Sequence, residues 1–254
     1  MWQALRNELH PKGLEVVTVS LEMSGPETSR PFIEAAKPEH PSLLDPAHQM
    51  DALFGVVNIP NVVWIDEQGL IVRPAEPGWP GSQPEMPAAL LASITKLVTA
   101  KTAQQPAGSG IGQTDALRSG QDRDRYPDAI RDWVAKGAAS EFVLSPEEVV
   151  ARSQPRPMSM SEGAAHFELA NHLWRSGQSA LAISHFNECH RLQPDNWTYK
   201  RQAWSTVSND RDGGEFGRFV QSPVEGEEAS WPFASDFWSD FAQLHEGEYY
   251  PATM

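Results

Sequence analysis

Thiols are almost absent from this chain: Cys189 is the one cysteine in 254 residues. That excludes an internal disulfide, a Cys-rich zinc site and a dithiol redox pair built from its own residues. Long apolar runs are missing too. No stretch of about 18 apolar residues occurs, so no segment reads as a membrane-spanning helix. Basic residues are outnumbered, with 20 Lys and Arg against 34 Asp and Glu and a formal net charge of −14. Nucleic acids and anionic membranes need clustered positive charge, so neither is an expected partner. Acidity of this size keeps a protein in solution and requires no partner of its own. The start of the chain lacks a basic segment followed by an apolar one and does not read as a signal peptide, so the chain as written is expected in the cytoplasm.

What is present supports a packed core. Apolar residues make up 40% of the chain, with nine Trp and ten Phe, a composition unlike that of disordered proteins. The length suits one large domain or two ordinary ones. Trp2, Leu5 and Leu9 recur at helical spacing, and Pro11 and Gly13 end that helix. Leu14 to Val19 is an uninterrupted apolar and β-branched run, as in a parallel strand covered on both faces. Gly25-Pro26-Glu27 opens a helix with Phe32, Ile33 and Ala36 expected inward. Leu43-Leu44-Asp45 is a brief extended piece, and Ala47 to Phe54 a short helix with Met50, Leu53 and Phe54 expected inward. Val62–Ile65 and Leu70–Val72 flank a Glu67-Gln68-Gly69 turn and predict a hairpin. Ala88 to Val98 carries an apolar helical stripe.

Between Thr102 and about Gln121, Gln, Gly, Ser, Ala and Pro dominate, a flexible-linker composition. A domain boundary is therefore expected there, with residues 1–102, 103–121 and 122–254 as first domain, linker and second domain. Helices are expected over Tyr126–Val134 and Pro146–Arg152. In the span 163–196, Leu169, Ala170 and Leu173 fall on one helix, Gly177 at a turn, and Ala182, Ile183, Phe186, Cys189 and Leu192 on a second. Small residues at Ala170, Ala182 and Cys189 allow the two helices to approach closely. Trp197, Tyr199, Ala203 and Trp204 continue as a third. Residues 208–230 read as a loose acidic loop.

Two resemblances follow from these residues. The block from Phe54 through Val56-Val57-Asn58-Ile59-Pro60 to Gly69, with Gly13 to Ser20 upstream, resembles a thioredoxin fold of the TlpA/ResA or redoxin type. It matches the later two-thirds of that fold, over roughly residues 2–100. The resemblance implies an α/β thioredoxin-like domain, incomplete at its N-terminus. Residues 14–19 and 62–72 would lie in one sheet, on either side of a first strand that the chain does not contain. Two explanations stand: a strand and a cysteine-bearing turn upstream of Met1, or a sheet that has rearranged or borrowed a strand. The span 163–196 resembles one tetratricopeptide repeat, with His166 where that repeat usually has an aromatic. A lone repeat does not bury its own faces, so an all-α domain with atypical helical neighbours is expected around it.

In thioredoxin-like proteins the proline matching Pro60 is cis, and the residue before it offers backbone groups to an extended substrate. The resemblance therefore implies a peptide or thiol groove at Asn58, Ile59 and Pro60. The other reading is a turn proline that opens a strand, since proline cannot donate to a β ladder. No catalytic residues are expected. Thiol exchange needs an attacking and a resolving thiol, and Cys189 sits at a small-residue position that suits a buried, inert thiol. Arg73 and Arg30 are single cations without specificity. No cofactor or metal is expected: His166, His172, His185 and His190 crowd one hairpin and His40 and His48 flank the extended piece, without ligand spacing along any one helix. Trp231, Phe237, Trp238 and Phe241 lie between acids at largely helical spacing. They either cap the repeat within the chain or form an interaction surface for a protein. Two functions remain open. One is a thiol-disulfide oxidoreductase family member, without redox catalysis in the chain as given. The other is a non-catalytic protein-interaction module, with a protein or peptide partner and an oligomeric state that composition does not fix.

Overall fold

The computed structural model describes residues 2–81, 125–153, 156–207, 221–223, 226, 228–244 and 248–250. The expected helix over 88–98, the linker and most of the loop 208–230 lie outside the described residues. No helix among the described residues is long and apolar enough to cross a membrane.

Helix α1 (Trp2–Leu9) buries Leu5 and Leu9 along one face. A 3-10 turn at His10–Lys12 then stops at Gly13, whose φ of 104° suits glycine. Strand β1 (Thr18–Leu21) starts later than the apolar run, because the Leu14 amide is still bonded to the Leu9 carbonyl. It runs parallel to β2 (Ser42–Asp45), with Thr18 opposite Ser42 and Leu21 opposite Asp45. Helix α2 (Pro26–Ala36) connects them and buries none of its side chains, with Phe32 58% exposed. The expected inward stripe of α2 is thus corrected: a two-stranded sheet is too narrow to cover it. In α3 (Gln49–Phe54), Leu53 points outward and the buried residue is Asp51.

Strands β3 (Asn61–Ile65) and β4 (Ile71–Pro77) form the expected hairpin. Its turn is held by Asp66, whose Oδ1 accepts from the amides of Gln68 (3.0 Å) and Leu70 (2.8 Å). Val62 faces Glu76 and Trp64 faces Arg73, so β4 has one residue more than β3 over this interval. This is a bulge, and Pro74 falls within it, where a missing amide disturbs no ladder bond. The bulge brings Arg73 and Glu76 to one side, where Nε–Oε1 at 2.6 Å and Nη2–Oε2 at 2.8 Å make a buried bidentate pair.

The two pairs of strands form separate sheets, β1–β2 and β3–β4. The single sheet expected to hold residues 14–19 and 62–72 is not formed. Strands bond only to a neighbour about 4.8 Å away, and among the described residues no strand bridges β1 and β3.

Two cores result, and the first draws residues from both sides of the span 103–121. The first joins Leu5 and Leu9 of α1, Trp64 of β3, and Tyr126, Ala129 and Ile130 of α4 (Tyr126–Lys136). Trp64 stacks on Trp133 with ring centroids 4.9 Å apart, and its Nε1 donates to the Tyr126 hydroxyl at 2.9 Å. Gly78 makes this approach possible: a Cβ there would lie 2.6 Å from the Tyr126 ring. Helix α5 (Pro146–Arg152) follows, started by a capping box between Ser145 and Glu148. The second core is helical. In α6 (Met158–Arg175) and α7 (Ser179–Leu192), Phe167, Ala170, Ala182, Phe186 and Cys189 are at most 1% exposed. Leu169, expected inward, is 43% exposed. α8 (Trp197–Ser205) adds Trp197, Tyr199, Ala203 and Trp204.

The aromatic segment is helical only over α9 (Phe237–Phe241), where Asp236 caps the start. Phe237, Trp238 and Phe241 are 3%, 8% and 5% exposed and belong to the second core, with Trp231 packed against it. The expected interaction surface is therefore not an outer face. These side chains are covered by Trp197, Phe233 and Tyr249 of the same chain.

Side chains of the helical part meet loop carbonyls of the first part. Asn171 donates to Pro46 (2.8 Å), and Arg175 to Met23 and Pro46. Gln202 accepts from the Met23 amide at 2.9 Å. Such bonds satisfy loop groups that would otherwise be buried unpaired.

Candidate functional site

The corner between α3 and β3 is where the sequence places a candidate groove. α3 ends at Gly55, with φ 75°, and the chain then runs through Val56 to Asn61 into β3. The Ile59–Pro60 bond is cis, as the resemblance implies. Three consecutive residues of this corner bond to the helical part. The Val57 carbonyl accepts from the amides of Trp197 (2.7 Å) and Thr198 (3.3 Å), the first residues of α8. Helix starts carry unpaired amides, so the corner satisfies two of them. The Asn58 side-chain amide donates to the Tyr249 carbonyl at 2.9 Å, and its own Oδ1 accepts from the Ile59 amide. The Ile59 carbonyl accepts from the Tyr250 hydroxyl at 2.8 Å.

Asn58 is 5% exposed, Pro60 half-buried, and the Ile59 side chain 43% exposed. Tyr250 also meets Trp79 edge to face at 5.3 Å. Tyr249 is 2% exposed, wedged among Trp197, Phe241 and Tyr250, and its hydroxyl accepts from Arg201. Asn58, Ile59 and Pro60 are consecutive residues of this corner. They are not open: polar groups that an extended ligand would use are taken by residues 249–250 of the same chain.

Cys189 is fully buried in the helical core, and burial pushes its thiol up to about 12, with the Lys200 charge opposing only weakly. A protonated, inaccessible thiol neither attacks nor resolves a disulfide. Arg73 is committed to Glu76 and to the Phe142 carbonyl (2.7 Å), and lies over the Trp64 ring. Arg30 is exposed and paired with Glu27 at 3.0 Å.

Three groupings escape the sequence reading. The first is a buried hydrogen-bonded pair, His48 Nδ1 to Asp51 Oδ2 at 2.8 Å, both side chains fully buried. The His48 ring meets Phe167 edge to face at 4.9 Å, and burial raises the Asp51 pKa above its ordinary value. The available signal was the His-x-x-Asp spacing, one turn apart on the face that carries no leucine. The pair is shielded from solvent where α3 packs on Phe167 of α6. The second is His190, whose two ring nitrogens have no hydrogen-bond partner among the described residues. It lies between Trp204 and Phe233, and burial pushes it down to about 3, assisted by Lys200. The third pairs His166 with His185, Nδ1 to Nδ1 at 2.8 Å. Neither is near the other along one helix; the pairing crosses the hairpin. Among the described residues no three metal-ligating side chains converge.

No protein-family model matches the chain, and comparison with curated proteins and with solved structures gave no match.

Proposed function

We propose that this chain is a thioredoxin-like scaffold of the TlpA/ResA type, used to bind a protein or peptide segment and not to exchange thiols. The observation that carries the reading is the occupied corner. The Asn58 amide and the Ile59 carbonyl, beside a cis proline, bond to Tyr249 and Tyr250, which lie 191 residues further along the chain. Groups that hold one aromatic segment in cis have the chemistry to hold another in trans. The buried Cys189 supports a role without redox turnover. The reading rests on the corner and not on a continuous sheet, which the described residues do not form.

The test uses the full chain and a fluorescent peptide copying residues 243–254. Tyr250→Ala removes the hydroxyl bonded to Ile59 and the ring packed on Trp79, so it is expected to tighten peptide binding at least tenfold over the unsubstituted chain. Adding Asn58→Ala should reverse that gain. Equal or absent binding by all three chains would reject the proposal, and so would reduction of insulin disulfides by the unsubstituted chain.

A further inference from the structure

We propose that His166 and His185 form a two-histidine chelate for a divalent transition metal, with zinc as the reference ion, that clips α6 to α7. The two helices are antiparallel neighbours joined at Gly177, and the histidines face each other across them. Their Nδ1 atoms are 2.8 Å apart and their ring centroids 5.0 Å apart, with the planes tilted by 36°. Both residues are half-buried.

At this distance one neutral imidazole donates its N–H into the lone pair of the other, so a single proton sits where a metal would sit. Zinc–nitrogen bonds are about 2.0–2.1 Å, and two of them at a tetrahedral angle hold the nitrogens about 3.4 Å apart. The rings need to part by only about half an ångström. The donating ring then carries its proton on Nε2 instead of Nδ1, both rings stay neutral, and no net proton is released. A neutral imidazole is the ordinary histidine ligand for such ions.

Glu188 lies one turn beyond His185 on α7 and is bonded to Arg191 through Oε2 at 2.9 Å, so it does not bind the ion. The protein supplies two ligands and water completes the shell, which makes the site weaker than a closed four-ligand zinc centre.

The experiment adds zinc chloride to the full chain and follows binding heat and melting temperature. One ion per chain and a rise in Tm are expected. Either His166→Ala or His185→Ala should weaken binding at least tenfold, while His172→Ala, an exposed histidine of α6, should leave it unchanged. Long-range proton–nitrogen spectra of the unsubstituted chain give a reading that needs no variant: zinc should shift the Nδ1 signals of His166 and His185. Absence of zinc-dependent heat, zinc binding that survives the double substitution, or unmoved Nδ1 signals would each overturn the proposal.

Discussion

The β1–α2–β2 unit and the α6–α7 hairpin differ sharply in how far they bury their apolar side chains. In the hairpin, Ala170, Ala182, Phe186 and Cys189 are fully buried. In the strand unit every residue of β1 is half-buried, α2 buries nothing, and Val17, Phe32 and Leu43 are each more than half exposed. Antiparallel helices satisfy their own backbone groups and need only small residues at the contact. A two-stranded sheet leaves edges and faces that other parts must cover. The first part of the chain is therefore held by what it borrows: α4 on the hairpin, and Asn171, Arg175, Gln202 and the start of α8 on the loops.

Substitution should expose this asymmetry most sharply at the phenylalanines. Phe186→Ala is expected to cost about 3–5 kcal/mol in urea unfolding, because it empties a fully buried site. Phe32→Ala should cost no more than about 0.5 kcal/mol, as for an exposed position. Equal losses at the two sites would erase the contrast.

Acid should attack the helical core specifically. His190 has a folded pKa lowered to about 3 against an ordinary 6.5. The unfolded chain thus takes up the proton first, so the stability is fully present above pH 6.5 and is lost as pH falls from there toward 3. Each unit of separation is worth about 1.4 kcal/mol, so the loss is on the order of a few kcal/mol. His190→Leu should flatten the dependence of the urea midpoint over that range.

Gly78→Ala probes the first core at its tightest approach. Its Cβ would meet the Tyr126 ring and Val62, both under 3 Å, and neither can move without displacing Trp64 or β3. A loss of about 1–3 kcal/mol in thermal unfolding is expected for overpacking of this kind. The smallest effect is expected at the surface. Arg6 lowers the Glu15 pKa to about 2, so their contribution is present above the ordinary 4.5 and fades as pH falls toward 2. Glu15→Gln should remove that segment of the pH profile and little else.

The local elements were legible in the sequence because their signals are local. The hairpin turn reads from Glu67-Gln68-Gly69, α5 from its predicted span Pro146–Arg152, and the α6–α7 pair from Ala170, Gly177 and Ala182. Faces were less legible. Periodicity turned Phe32 and Leu53 inward, but a stripe is buried only when a partner surface exists, and among the described residues neither is covered. Long-range pairings were not legible at all. The spacing of His166 and His185 along the chain gives no sign of contact, and nothing near Asn58 points to Tyr249. The aromatic run near the C-terminus left two covers open, the chain's own repeat or a protein partner, and it is buried among aromatic side chains of the same chain.

A double-mutant cycle on Trp79→Ala and Tyr250→Ala, read by urea unfolding of the full chain, tests the occupied corner most directly. The two rings meet edge to face at 5.3 Å, and such pairs couple by about 0.5–1.5 kcal/mol. A coupling in that range is the result expected if residues 249–250 sit on the cis-proline corner in solution. Additive losses would contradict it, and with it the view that this corner holds an aromatic segment.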